Sequence, residues 1–218
     1  MKNFAKFIAF EGAEAVGKST QIKLLSKAFH NASLPNILTR EPGGCELSEK
    51  IRDLLLNNHF HKMSELLLFF ASRHENIENI IKPNLNNNVT VFCDRFVLSS
   101  LVYQGIILNI PLENILELHR VYNNNLFPHL TIIIDISTEN CLLRLQRRPH
   151  NNKIDDKPKE FHEKIIQSFR NYGNIYPSDA IIINGNQDIY SLHKEIIKNI
   201  NTYFNINIEP LEINKIDV

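Results

Sequence analysis

The run Gly12-Ala13-Glu14-Ala15-Val16-Gly17-Lys18-Ser19 satisfies the pattern Gly-x-x-x-x-Gly-Lys-Ser/Thr in full, and Thr20 follows it. Glycines at both ends let backbone N–H groups turn inward around phosphate oxygens, and a helix starting at Lys18 adds the positive end of its dipole. Lys18 supplies a mobile charge for a phosphate in transfer, and the Ser19 hydroxyl is a ligand for Mg²⁺. That is the chemistry of a bound nucleoside triphosphate. A second pair, Asp94-Arg95, joins a carboxylate able to hold Mg²⁺ or its water to a planar guanidinium able to clamp another phosphate. The plainer readings are a glycine turn that merely joins strand to helix, and an ordinary surface ion pair. The flanking elements decide between them.

Phe7 to Phe10 is an apolar run closed by Glu11-Gly12, and Ile22, Leu24, Leu25 and Phe29 follow Lys18 at helical spacing, so the glycine loop lies between strand and helix. Asn36 to Thr39 reads as a second strand, ended by Arg40-Glu41-Pro42-Gly43-Gly44, where Pro and paired Gly enforce a turn. Leu47, Ile51, Leu54 and Leu55 mark a helix, and Met63 to Ile81 a longer one stopped by Pro83. Val89 to Cys93 is a buried strand ending at Asp94-Arg95. Leu112 to Tyr122 is helical, Leu130 to Ile136 is the next strand, and Cys141 to Arg147 begins another helix. The polar stretch from Arg147 to Pro158 lacks apolar periodicity and reads as a lid. Phe161, Ile165, Ile166 and Phe169 restart a helix, Ala180 to Ile183 is the last strand, and Ile189 to Phe204 the last helix. Five apolar strands alternating with helices define an α/β fold, a parallel sheet wrapped on both faces, whose ligands bind beyond the strands' carboxyl ends. Residues 1–204 are read as one domain with a lid at about 147–158; the tail, 205–218, is either an edge strand or disordered.

A chain of 218 residues fits one such domain, and 43% hydrophobic with 22% charged residues excludes a disordered or coiled-coil protein. The longest apolar runs, Leu66 to Ala71 and Leu130 to Ile136, are far short of the ~20 residues a bilayer-spanning helix needs. No small-residue cleavage site follows Met1 to Phe10, so the expected location is the cytoplasm. Lys plus Arg and Asp plus Glu number 24 each, which gives broad nucleic-acid affinity no support. Cys45, Cys93 and Cys141 lack C-x-x-C spacing, which excludes a disulfide framework and a zinc knuckle.

Several further motifs now carry a resemblance. Phe10-Glu11-Gly12 to Thr20-Gln21, Thr39 to Gly44 with its Glu-Pro-Gly-Gly, Phe69-Phe70-Ala71-Ser72-Arg73, Asp94-Arg95-Phe96 with Ser99-Ser100 and Tyr103-Gln104-Gly105, and Phe161-His162 together resemble the thymidylate kinase family, in order from Phe4 to about Phe204. The resemblance implies a P-loop kinase fold, transfer of the γ-phosphate of ATP to dTMP giving dTDP in dTTP biosynthesis, Mg²⁺, and a homodimer. It makes Glu14 the carboxylate that approaches the deoxyribose 3′-hydroxyl, and gives the dTMP phosphate to Arg95 with help from Arg40. Phe69 would stack on thymine while Arg73, on the same helix face, donates to a base oxygen. Ser100 and Gln104 would address the pyrimidine edge, and Tyr103 would close where a ribose 2′-hydroxyl would have to fit. Ser19 and Asp94 would hold Mg²⁺, and Arg144 would pack on adenine. For Phe69 and Tyr103, ordinary core packing is the alternative.

Two departures from the family pattern stand out. Ala15 occupies a position where some members carry arginine after the loop acid, so the lid is expected to supply that cation, from Arg147, Arg148 or Lys153; a solvated loop is the alternative. Cys45 stands where threonine usually follows Glu-Pro-Gly-Gly. Rival readings are another P-loop nucleoside or nucleotide kinase, and an ATP-binding regulatory protein that uses the loop as a switch.

Overall fold

The computed structural model describes residues 4–147, 154–172, 176 and 179–212. Strand β1 (Phe7–Glu11) is buried at every position and leads through the glycine loop into α1 (Lys18–Asn31). β2 (Asn36–Arg40), α2 (Glu46–Asn57) and α3 (Lys62–Asn76) follow; after a π turn (Ile77–Ile81) and α4 (Lys82–Asn86) the chain enters β3 (Thr90–Asp94). Next come α5 (Val97–Ser100) with a π turn over Leu101–Ile107, α6 (Leu112–Tyr122), β4 (Leu130–Asp135), α7 (Thr138–Gln146), α8 (Lys159–Arg170), β5 (Ala180–Asn184) and α9 (Ile189–Phe204).

The five strands pair in parallel in the order β2-β3-β1-β4-β5. The continuous apolar strands β1, β3 and β4 take the centre, where both faces are covered, and β2 and β5 take the half-exposed edges. Because β3 and β4 flank β1 on opposite sides, the chain leaves β1 at a switch point, and a crevice opens beyond the carboxyl ends there. Edge-to-face aromatic pairs, Phe7 with Phe96 and Phe29 with Phe92, seal the layers on either side of β1 and β3 at centroid distances of 4.9 Å.

The structure departs from the periodicity at one helix. Pro83 does not stop it: α3 passes through the π turn into α4, and Pro83 falls in the first turn of α4. The Lys82 N–H donates to the Ile77 carbonyl five residues back, so the π turn carries the helix up to Pro83, which itself has no N–H to donate. Asn205 to Glu212 joins no strand; Ile208 is buried, and its backbone N–H donates to Asn201 Oδ1 at 2.9 Å. Among the described residues, no helix is long and apolar enough to cross a membrane.

Candidate active site

The phosphate loop is built on backbone shapes that ordinary side chains resist. Gly12 has φ 130°, and a Cβ there would meet the Ile134 carbonyl oxygen at 2.5 Å, so β4 can pack against the loop only where no side chain exists. Ala15 is itself left-handed at φ 58°. Lys18 folds back, donating from Nζ to the Gly12 and Ala13 carbonyls at 3.1 and 2.6 Å. Burial brings its pKa down to about 8, with the Arg95 charge acting in the same direction. One residue on, Ser19 Oγ donates to Asp94 Oδ2 at 2.6 Å, bringing a hydroxyl and a carboxylate from α1 and β3 together at the loop's mouth.

Arg95 follows Asp94 in a left-handed conformation, φ 73°, which turns its side chain across the loop. Nη1 donates to the Gly12 carbonyl and Ser99 Oγ, Nη2 donates to Glu14 Oε1 at 2.9 Å, and the group lies 5.2 Å from the Tyr103 ring centroid. Burial alone would weaken its hold on the proton, but Tyr103, Glu14, Asp94 and Glu11 around it more than offset that, so it stays charged. Tyr103 Oη donates to the Glu14 carboxylate at 2.8 Å, and burial pushes the phenol well above its ordinary value. Beneath them Glu11 accepts from the Phe96 and Ser99 N–H groups and from Ser99 Oγ, which fixes the turn that carries Arg95. Burial raises the Glu11 pKa.

The other end of the cleft is made of buried side chains. Arg73 Nε donates to Glu41 Oε2 at 2.7 Å and Nη2 to Ser100 Oγ at 2.9 Å, while its guanidinium carbon lies 4.9 Å from the Phe70 ring centroid and 5.3 Å from that of Phe96. Nη1 is buried with no hydrogen-bond partner among the described residues. Burial pushes Glu41 up to about 7 although Arg73 pulls the other way. Gln104 Nε2 donates to Glu65 Oε1 at 3.0 Å. At the rim, Arg40 pairs with Glu49 at 2.7 Å, both substantially exposed.

One cavity of about 1220 Å³ joins the two ends. The sequence-derived residues Glu14 to Thr20, Arg40, Phe69, Arg73, Asp94, Arg95, Ser100, Tyr103, Gln104 and Arg144 all line it. Gly12 and Ala13 lie behind the loop and contribute carbonyls to Lys18. Arg144 donates to the Val16 and Gly185 carbonyls at 3.2 and 2.9 Å, bridging the phosphate loop to the turn after β5. Arg147 is exposed at the end of α7 and does not line the cavity, while Arg148 and Lys153 lie outside the described residues. Cys45 does not face the cavity; its Sγ donates to Ser48 Oγ at 3.2 Å, one turn into α2.

Sequence reasoning missed four elements. Glu41 was visible in the Glu-Pro-Gly-Gly motif but carried no role, and Glu65 lies four residues before Phe69, the spacing that puts both on one helix face. Arg52 reaches the cavity from α2, donating to the Pro42 carbonyl at 2.6 Å, and burial lowers its pKa. The Gly185 turn meets Arg144 through a backbone carbonyl, which leaves no trace in side-chain identity. The tetrapeptides Asn152-Lys153-Ile154-Asp155 and Asn214-Lys215-Ile216-Asp217 have the letters of a guanine-binding signature; in chain order the first lies between α7 and α8 and the second after α9, and Asn152, Lys153 and the whole of the second lie outside the described residues.

Sheet order, loop and converging cations define a P-loop nucleotide kinase. Residues 10–196 match the thymidylate kinase family model. A thymidylate kinase of Orientia tsutsugamushi is 39% identical over 215 residues, covering 93% of this chain and 96% of that protein. One from Caldicellulosiruptor saccharolyticus is 38% identical over 173 residues, 78% of this chain and 84% of that protein. The crystal structure of thymidylate kinase from Ehrlichia chaffeensis superposes with a TM-score of 0.74 at 31% identity, over 90% of this chain and 98% of the other. The chain belongs to the thymidylate kinase family.

Proposed function

We propose that this enzyme transfers the γ-phosphate of ATP to the 5′-phosphate of dTMP, giving dTDP and ADP. The observation that carries the reading is one cleft with a phosphate loop at one end and, at the other, a buried guanidinium whose Nη1 has no partner among the described residues, with Phe69 lining the same cleft. Gly12 to Thr20 cradle the ATP phosphates, Arg144 lies along adenine, and Arg95 with Arg40 holds the dTMP phosphate. Phe69 stacks on the base, a contact worth ~1–3 kcal/mol. Arg73, Ser100 and Gln104 meet the base edge. Glu14, gripped by Arg95 and Tyr103, receives the deoxyribose 3′-hydroxyl, and Tyr103 fills the space a 2′-hydroxyl would need.

A hard cation fits the Ser19–Asp94 pair, since a hydroxyl and a carboxylate hydrogen-bonded to each other offer oxygen donors at the loop's mouth. Mg²⁺ prefers few protein ligands, with phosphate oxygens and water completing its shell, so two such groups suffice. When bound, Mg²⁺ neutralises developing phosphate charge. The acceptor phosphate is largely ionised near neutral pH, so the chain supplies no strong base; it aligns two phosphates and excludes water. Lys18 and Arg95 flank the transferred group, and the lid, through Arg147, Arg148 or Lys153, adds the cation that Ala15 lacks.

We further infer a cytoplasmic homodimer. Leu47 and Leu54 on α2, Leu67 on α3, and Val121 and Tyr122 on α6 are large, apolar and exposed, and a second copy would cover them. Steady-state turnover with dTMP, dUMP, thymidine and dGMP tests the activity: dTMP is the preferred acceptor, and thymidine preferred over dTMP contradicts the reading.

A further inference from the structure

Glu65 has no part in the phosphoryl-transfer scheme, yet it touches a group that faces the base. A carboxylate only accepts hydrogen bonds and a guanidinium only donates them, whereas an amide has one end of each kind. Which end of Gln104 meets a ligand is therefore settled by what holds the other end. Glu65 Oε1 takes the Nε2 end at 3.0 Å, and the Oε1 end of Gln104 has no partner among the described residues. Arg73 is fixed by the same device: Glu41 takes Nε, Ser100 takes Nη2, the Phe70 and Phe96 rings hold the group, and Nη1 alone is unspent. Both readers line the cleft and both are buried. These two residues thus offer the base guanidinium N–H donors at Arg73 Nη1 and an amide acceptor at Gln104 Oε1.

We propose that Glu65 is a positioning residue that locks the amide polarity of Gln104, so that the acceptor site selects a pyrimidine bearing a hydrogen on N3 beside a ring carbonyl. Thymine presents that pattern, its O4 to Arg73 and its N3–H to Gln104. A ring with a lone pair at N3 sets lone pair against lone pair, and the buried carbonyl of Gln104 goes unpaired. The inference rests on the reading of the cleft as the dTMP site.

The test uses the full chain with Mg²⁺ and ATP, and compares dTMP with the 5′-monophosphate of 2-pyrimidinone deoxyriboside. That base carries a lone pair at N3 and only hydrogen at C4, so it offers Arg73 no clash. In Glu65→Gln the side chain pairs with Gln104 either way round. The KM for dTMP then rises by about three- to tenfold while kcat stays within about threefold, and the preference for dTMP in kcat/KM falls by about tenfold or more. The same substitution in a Gln104→Ala background shifts the preference by less than about twofold, an outcome that general damage to α3 does not produce. Glu65→Ala, which cannot accept from the amide at all, moves the preference in the same direction and serves should Glu65→Gln fail to fold. A preference within about twofold of wild type in the folded variants overturns the proposal and leaves the dTMP reading standing. A wild-type enzyme that does not phosphorylate dTMP overturns both.

Discussion

Two of the cleft's arginine–glutamate pairs, one at the rim and one beneath the base site, work in opposite ways. At the rim Arg40 meets Glu49 at 2.7 Å with side-chain exposures of 53% and 38%; beneath the base site Arg73 meets Glu41 at the same distance with exposures of 1% and 3%. An exposed pair contributes little and exchanges partners readily, so Arg40 can leave Glu49 for an arriving phosphate. A buried pair cannot be opened without stranding a charge, so Arg73 stays fixed and reads whatever base is presented. The same two side chains serve as a releasable clamp where water reaches them and as a fixed template where it does not.

Four tests break or sharpen that contrast, the first two at the phosphate end. Replacing Arg147, Arg148 and Lys153 singly by Ala is expected to reveal at least one position where kcat falls by about a thousandfold with little change in the dTMP dissociation constant. Rates within a few fold of wild type for all three turn attention to Arg40 and Arg144. Lys18→Ala is expected to lower kcat by roughly a hundredfold or more with the fold intact, because Lys18 acts on charge that develops in transfer; single-turnover kinetics reads this directly, and a variant keeping more than about a tenth of wild-type turnover contradicts it.

Behind the base end, His119 accounts for an acid weakness. Burial, with the Arg73 charge adding to it, brings the imidazole down to about 3. The unfolded chain takes up a proton near the ordinary value of 6.5 and the folded chain does not, so stability present above that value drains away as the pH falls towards about 3. The loss is about 2 kcal/mol at pH 5. His193, brought down to about 4 by burial, acts in the same direction. Urea unfolding of wild type and His119→Gln at pH 7.5 and 5 checks this: the variant loses less stability on acidification. At the rim, Glu49→Gln should change stability by less than about 1 kcal/mol and leave the dTMP KM equal or lower, since Arg40 is released. A several-fold rise in that KM makes the rim pair a fixed template too.

What the sequence revealed follows the same division. The phosphate end was legible because its backbone geometry forces residue identity: Gly12 must lack a Cβ, and the letters to Ser19 follow from the ligand. The central strands were legible because burial on both faces demands uninterrupted apolar runs. The base end was legible only through family resemblance, because Phe69-Phe70-Ala71-Ser72-Arg73 alone reads equally as core. Glu41 and Glu65 carried only a place in the Glu-Pro-Gly-Gly motif and a helical spacing to Phe69, and neither mark says which side chain a carboxylate orients. Pro83 misled because a π turn resets the helical register just before it, and nothing in the composition of Ile77 to Ile81 announces such a turn.

The most direct test of the fixed template is calorimetric titration of Arg73→Ala with dTMP and, separately, with ATP, on protein shown by thermal melting to be folded. The dTMP affinity is expected to collapse while the ATP dissociation constant stays within about twofold of wild type, because the two ligands meet opposite ends of the cleft. Equal loss of both affinities contradicts this and makes Arg73 a support of the fold rather than the reader of the base.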